Sequence, residues 1–231
     1  MIAFIGGTSL IGSTVFQGWP REEAETPYGT VILKKDKGSF FLQRHGNPPL
    51  PPHMINHRAN VWALKNLGVE KVIAVNSVGS LRLECKPGSF VVPDDFLTFC
   101  ATSTFYDNEM RFTVPRMDAR LAHHLYSRCE HLGIPVTMGG VYIQTQGPRL
   151  ETKAEINMLK NFGHVVGMTM ASEVTLCLEI GLPYASLCSV DNYCHGIARV
   201  PLTVDAIQEN VRINRGHIEA IIASTLREGL G

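Results

Sequence analysis

Residues 53–80 read HMINHRANVWALKNLGVEKVIAVNSVGS, and the stretch changes period half-way. In its first part Ile55, Ala59, Trp62 and Ala63 recur on one face at helical spacing, which predicts an amphipathic helix. In its second part KVIAVNS is a short run rich in Val and Ile that closes on polar Asn76 and Ser77, as a buried strand does. A helix feeding a strand is one step of an alternating α/β fold. Whether the rest of the chain repeats that step decides the architecture.

The step recurs along the whole length. MIAFIGG (1–7), TVILKK (30–35), SFFLQRH (39–45), SFVVPDD (89–95), GVYIQTQ (140–146), HVVGMTM (164–170) and YASLCSV (184–190) have the same strand character. Between and after them come helical patterns. Ala154, Met158 and Phe162 fall on one face of ETKAEINMLKNFG, and Ile207, Val211, Ile218 and Ile222 mark a long last helix with Thr203 as its N-cap. The expected fold is α/β, a single domain over residues 1–231 with a mixed, largely parallel central sheet flanked by helices. No repeat, low-complexity tract or linker interrupts it.

Bulk properties exclude several classes. The 231 residues are 45% hydrophobic and 18% charged, with a formal net charge of +0. Nothing argues for nucleic acid or a membrane as partner. MIAFIGGTSL lacks the charged lead of a signal peptide, so a cytoplasmic protein is expected. The six cysteines are scattered without a CxxC pair, as expected of reduced thiols; there is no HExxH, no GxxxxGK[ST] and no GxSxG. A zinc site, a P-loop and a serine hydrolase are therefore set aside.

In sheets of this kind ligands bind beyond the carboxyl ends of the strands. That rule selects Gly6-Gly7-Thr8-Ser9, Arg44-His45, Asn76-Ser77-Val78-Gly79-Ser80, Met168-Thr169 and Asp191-Asn192-Tyr193. Each alone fits a tight turn or a solvated loop equally well. Together they offer hydroxyls, backbone N–H groups and cationic side chains at one edge, which is what a small tetrahedral anion requires. The loop GNPPLPP that follows Arg44-His45 is stiffened by four prolines and would hold that corner at low entropic cost.

FIGGTSL, RHG, HRANVWALKNLGV, NSVGSL with KPGSFVVPDDF, TFYD, GPRLETKAE, GMTMASE and SVDNY follow one another in the order of one family. From about residue 2 to about residue 225 the chain resembles the trimeric purine nucleoside phosphorylases, most closely the methylthioadenosine/methylthioinosine phosphorylase branch. The resemblance implies the nucleoside phosphorylase fold. It also implies attack of orthophosphate on C1′ of a purine nucleoside, releasing the base and a ribose 1-phosphate. A homotrimer or a dimer of trimers would carry each site near a subunit boundary, with no metal or organic cofactor and orthophosphate as co-substrate. Position by position, Thr8, Arg44, His45, Ser77 and Thr169 match the phosphate pocket. Met168 matches the residue under the ribose, Leu150 the apolar wall at the purine, and Glu151 and Asp191 the groups that read the base. Asp191 would also serve as general acid toward N7 if burial and the phosphate raise its pKa.

Three departures from the family pattern bear on substrate. Adenine-specific members usually have serine where this chain has Glu151, and a carboxylate accepts the N1–H of a 6-oxopurine but repels the N1 lone pair of adenine. Asp191 stands where 6-oxopurine enzymes often carry asparagine; Asn192 is adjacent, and Tyr193 replaces the second aspartate of adenine-cleaving relatives. At the sugar end the histidine that often follows RHG is offset to His53. Val204 and Ile207 occupy positions that line the 5′ pocket, and apolar Ile207 suits a methylthio group. The expected reaction is phosphorolysis of a 6-oxopurine nucleoside of the inosine or guanosine type, S-methyl-5′-thioinosine included. Methylthioadenosine phosphorolysis and a non-catalytic nucleoside-binding module are the alternatives.

Overall fold

All eight of the apolar runs become strands. The computed structural model describes residues 1–199 and 201–229. The chain opens with β1 (Ile2–Gly6), β2 (Arg21–Ala24), β3 (Val31–Asp36) and β4 (Ser39–Gln43), followed by α1 (His57–Asn66) and β5 (Lys71–Ser80). Next come β6 (Phe90–Val92), β7 (Asp95–Thr98), α2 (Ala119–His131), β8 (Val136–Met138) and β9 (Val141–Gln144). The remainder is α3 (Lys153–Leu159), β10 (Val165–Gly167), α4 (Met170–Glu179), β11 (Tyr184–Tyr193) and α5 (Val204–Glu228). Three short strands carry no sequence signal. β2 is REEA, a charged edge strand, and β7 and β8 are too short to show a period. No helix among the described residues is long and apolar enough to cross a membrane.

The sheet is mixed and largely parallel, as expected, in the order β2-β3-β4-β1-β5-β10-β9-β7, with β11 also on β5 and β6 bridging β11 to β8. Helices cover both faces. Ala59, Ala63 and Leu64 of α1 and Val174 and Cys177 of α4 close one core, while Leu121 and Leu125 of α2 and Ile218 and Ile222 of α5 close the other. Thr203 caps α5 as its sequence predicts, its side chain accepting from the Ala206 N–H at 3.2 Å. The face expected to bury α3 is corrected. Ile156 and Leu159 are inside, whereas Ala154, Met158 and Phe162 are exposed. A helix of seven residues is too short for its period to choose a face unaided.

The long strand β5 makes the opening for a site. Its parallel pairing with β1 ends at Ile5 opposite Ala74. Pairing with β10 begins only at Gly79 opposite Val166, and it is antiparallel. Between these points β5 has lost its neighbour on that side, and its peptide groups must find other partners. The carboxyl ends of β1, β4 and β5 lie side by side at this gap.

Candidate active site

The gap opens into a cleft lined by residues from the ends of several strands and from the loops beyond them. At one end is the Arg44-His45 corner. Arg44 is buried, and its Nε donates to Glu173 Oε1 at 2.5 Å and its Nη2 to Glu173 Oε2 at 3.3 Å. Nη1 donates to the Val75 carbonyl at 2.9 Å, one of the groups that β5 left unpaired, and Nη2 also reaches the Ile5 carbonyl at 3.4 Å. Of the donors a guanidinium carries, one N–H on Nη1 remains unspent. It lies under Gly7, where an added Cβ would stand 2.1 Å from Nη1, so only glycine fits there. Burial opposes the charge on Arg44, but the Glu173 carboxylate outweighs it and raises the pKa, and the group stays cationic.

His45 is fixed by its own loop. Leu50 N–H donates to the His45 carbonyl at 2.8 Å, and His45 Nδ1 meets the Leu50 carbonyl at 2.8 Å. A carbonyl only accepts, so Nδ1 carries the proton and Nε2 is left to face the Gly7 turn. Burial, and after it the Arg44 charge, lower the pKa, which favours the neutral ring. Thr169 sits at the head of α4. The first N–H groups of that helix are answered from below, by the Tyr142 hydroxyl at 3.2 and 3.3 Å and by Gln144 Oε1 at 3.1 Å. The Thr169 hydroxyl accepts from Asn76 Nδ2 at 2.8 Å and therefore keeps its own proton for the cleft. Thr8 and Ser77 also line the cleft.

At the other end Leu150, Glu151, Met168 and Asn192 line the wall, with Leu202 and Ile207 closing one side. Thr145 Oγ1 donates to Glu151 Oε1 at 2.6 Å and orients that carboxylate. Asn192 owes its position to a bulge. β11 pairs with β5 through Val190 opposite Val78 and then Asn192 opposite Gly79, so Asp191 is the extra residue. Gly79 allows the amide to approach, since a Cβ there would lie 3.1 Å from Asn192 Nδ2 and 2.5 Å from Cys194 Sγ.

The same bulge corrects the expected position of Asp191. Its carboxylate is fully buried behind the wall and accepts from the hydroxyl of Ser77, from Ser189 Oγ at 2.7 Å and from Asn214 Nδ2 at 2.8 Å. Burial raises its pKa, while those bonds pull it down. Tyr193 also faces elsewhere, donating its hydroxyl to the Leu83 carbonyl at 3.0 Å. Val204 is exposed at the start of α5 and does not line the cleft. Thr8, Arg44, His45, Ser77, Thr169, Leu150, Glu151, Met168, Asn192 and Ile207 are brought together.

Sequence reasoning missed Glu173 and His195. Glu173 had a signal, because a carboxylate in the apolar run MASEVTLCLE needs a buried cation. His195 lines the cleft from the loop after β11 and had none.

The family model described as the phosphorylase superfamily matches residues 2–227, and the chain belongs to that superfamily. It is 40% identical to a probable 6-oxopurine nucleoside phosphorylase of Archaeoglobus fulgidus, over 99% of this chain and 96% of that protein. It is 41% identical to a probable S-methyl-5′-thioinosine phosphorylase of Methanocaldococcus jannaschii, over 100% of this chain and 94% of that one. Among solved structures, methylthioadenosine phosphorylase of Schistosoma mansoni in complex with adenine superposes with a TM-score of 0.85 at 27% identity. That match covers 98% of this chain and 90% of the other.

Arg44 and His57 are both buried, and replacing each has a measurable consequence. Arg44→Met leaves the buried Glu173 carboxylate without its cation and should cost roughly 3–5 kcal/mol of stability. Adding Glu173→Gln removes the orphaned charge, keeps an acceptor for the Tyr184 hydroxyl, which donates to Glu173 at 3.0 Å, and should restore most of the loss. Calorimetric titration with phosphate should find binding lost in both variants, and retained binding in the double variant would mean that Arg44 only packs. The second concerns His57, which is buried with no partner for Nδ1 and has its pKa pushed down to about 4, by burial above all. Above about pH 6.5 neither state is protonated; from there down to about 4 only the unfolded chain takes the proton. The wild type should lose roughly 3 kcal/mol over that window on account of this group. In urea titrations at pH 7 and pH 4.5 a His57→Phe variant should lose less than the wild type, and equal losses would refute the assignment.

Proposed function

We propose that the protein catalyses phosphorolysis of a 6-oxopurine nucleoside with an apolar 5′ end, S-methyl-5′-thioinosine being the best fit. The observation that carries this reading is the pairing, in one cleft, of an anion corner with Glu151 and Asn192. The chain is an enzyme of the purine nucleoside phosphorylase type, and its full-length relatives named above agree with that chemistry.

Orthophosphate would bind where Arg44 Nη1 and the hydroxyls of Thr8 and Thr169 donate, with neutral His45 accepting from a protonated phosphate oxygen. It attacks C1′ as the N-glycosidic bond breaks. Positive charge develops on the sugar above the phosphate, and negative charge on the departing purine. Glu151 accepts the N1–H of a 6-oxopurine through the oxygen that Thr145 leaves free. The Asn192 amide has one N–H committed to the Tyr193 carbonyl at 3.0 Å, which leaves a donor and an acceptor for the O6/N7 edge. Met168 lies beneath the ribose, and Leu202 and Ile207 give the 5′ end an apolar lining. The reaction needs no metal or organic cofactor, since orthophosphate is both nucleophile and counter-charge.

Oligomerisation to a homotrimer or dimer of trimers, in the cytoplasm, belongs to the same reading. Met110, Phe112 and Val114 are 95%, 89% and 85% exposed along one segment outside helix and strand, apolar surface that a partner subunit would cover.

The test is a panel of inosine, guanosine, adenosine and their 5′-methylthio counterparts, assayed with and without phosphate. Release of free base should require phosphate and should favour the 6-oxo members; cleavage by water alone, or preference for adenine, would overturn the proposal. Glu151→Ser should lower kcat/KM for the 6-oxo substrate by about 2–3 kcal/mol and leave methylthioadenosine unchanged or improved. Asn192→Ala should lower kcat by about 10²-fold, the loss expected when one donor to the developing charge is removed. If Glu151→Ser lowers 6-oxo and 6-amino substrates alike, Glu151 does not read the base and the methylthioadenosine reading takes over.

A further inference from the structure

Two hydroxyls in the cleft are wired with opposite polarity. Ser186 Oγ donates to Asn76 Oδ1 at 2.7 Å, and this fixes the Asn76 amide so that its Nδ2 donates to Thr169. Thr169 therefore offers a proton to the cleft. On the neighbouring residue the order is reversed. The Ser77 hydroxyl gives its proton to Asp191, so toward the cleft only its lone pairs remain. An oxygen that can only accept repels a phosphate oxygen and attracts a hydroxyl proton. Along β5, Ser77 lies between Val75, whose carbonyl binds Arg44, and Gly79, which is opposite Asn192; in the nucleoside reading that is the place of the sugar.

Asp191 is held for this task from the opposite side. Asn214 Nδ2 donates to Ser189 Oγ at 2.9 Å, so Ser189 in turn passes its proton to Asp191 at 2.7 Å. Asn210 Nδ2 binds the Asp191 carbonyl at 2.7 Å, and Asn214 also reaches the Val190 carbonyl at 3.2 Å. Two asparagines of α5 thus clamp the bulge, and hydroxyl and amide donors converge on the carboxylate from three residues.

We propose that Ser77 recognises a ribose secondary hydroxyl as an acceptor, and that Asp191 is the positioning residue that fixes it in that state. The proposal rests on the nucleoside reading above. It removes Ser77's hydroxyl from the phosphate pocket and Asp191 from proton transfer, and leaves Asn192 as the group that meets the leaving base.

The experiment compares inosine, 2′-deoxyinosine and 3′-deoxyinosine, at varied phosphate, in the wild type and three variants. Ser77→Ala should lower kcat/KM for inosine by roughly three- to tenfold, the range of one neutral hydrogen bond. The loss should vanish for whichever deoxynucleoside lacks the bonded hydroxyl, with the phosphate KM unchanged. Asp191→Asn keeps an acceptor oxygen for Ser77 and should retain most of the discrimination between sugars; Asp191→Ala should lose it. A raised phosphate KM in Ser77→Ala, or an equal loss on all three sugars, would overturn the proposal. So would a fall in kcat of about 10²-fold or more in Asp191→Asn with an altered pH profile, the mark of a lost general acid. If Asp191→Ala fails to fold, Ser77→Ala and Asp191→Asn decide the matter. If the wild type cleaves no purine nucleoside in phosphate, the nucleoside reading itself falls, an outcome distinct from all of these.

Discussion

The ion pair between Arg44 and Glu173 is the constraint around which the site is built. It joins the end of β4 to the first turns of α4, across the sheet, with both side chains excluded from water. Two such charges are costly to bury, and the cost is met only when geometry and hydrogen bonding are nearly complete. Here the fork of the guanidinium meets both carboxylate oxygens, and its outer edge takes the carbonyls of Ile5 and Val75. The Tyr184 hydroxyl completes the shell of Glu173. The interruption of the sheet at Val75 and the burial of Arg44 solve one another's problem: a carbonyl that lost its strand neighbour finds a cation, and the cation finds an acceptor.

That arrangement leaves very little of Arg44 for a ligand, and the little it leaves is directional. The same economy holds across the cleft. His45 spends its Nδ1 proton on Leu50, Thr169 keeps its proton because Asn76 supplies one, and Ser77 surrenders its proton to Asp191. Residue type alone would count all of these as able to donate. The hydrogen bonds behind them decide which donate and which accept. A cleft wired in this way presents fixed donors at some positions and fixed acceptors at others without rearranging side chains. Preorganisation of that kind is what stabilises charge that appears only during reaction.

Much of the architecture was legible because its signals are local. Continuous Val- and Ile-rich runs announced the buried parallel strands, and the polar residues that ended them announced which strand ends line the cleft. Thr203 announced the start of α5. The misreadings have equally local causes. β2 is written in charges because it lies at a sheet edge, and α3 is too short for its apolar spacing to select a face. Exposed Met158 and Phe162, and the exposed Phe99 that packs edge-on against Phe162, look like core residues in the sequence and lie on the surface of the single chain.

By itself the sequence determined the fold class, the carboxyl edge that carries the cleft and most of the residues that line it, because periodicity and strand ends are properties of contiguous chain. Only the tertiary structure decided which of Asp191 and Asn192 faces the cleft. A single extra residue in β11, clamped by Asn210 and Asn214 about one helical turn apart in α5, turns the carboxylate inward and the amide outward. A β-strand alternates its side chains, so one inserted residue reverses everything beyond it. The residues that fix that insertion lie on another element, and no reading of SVDNY alone contains them.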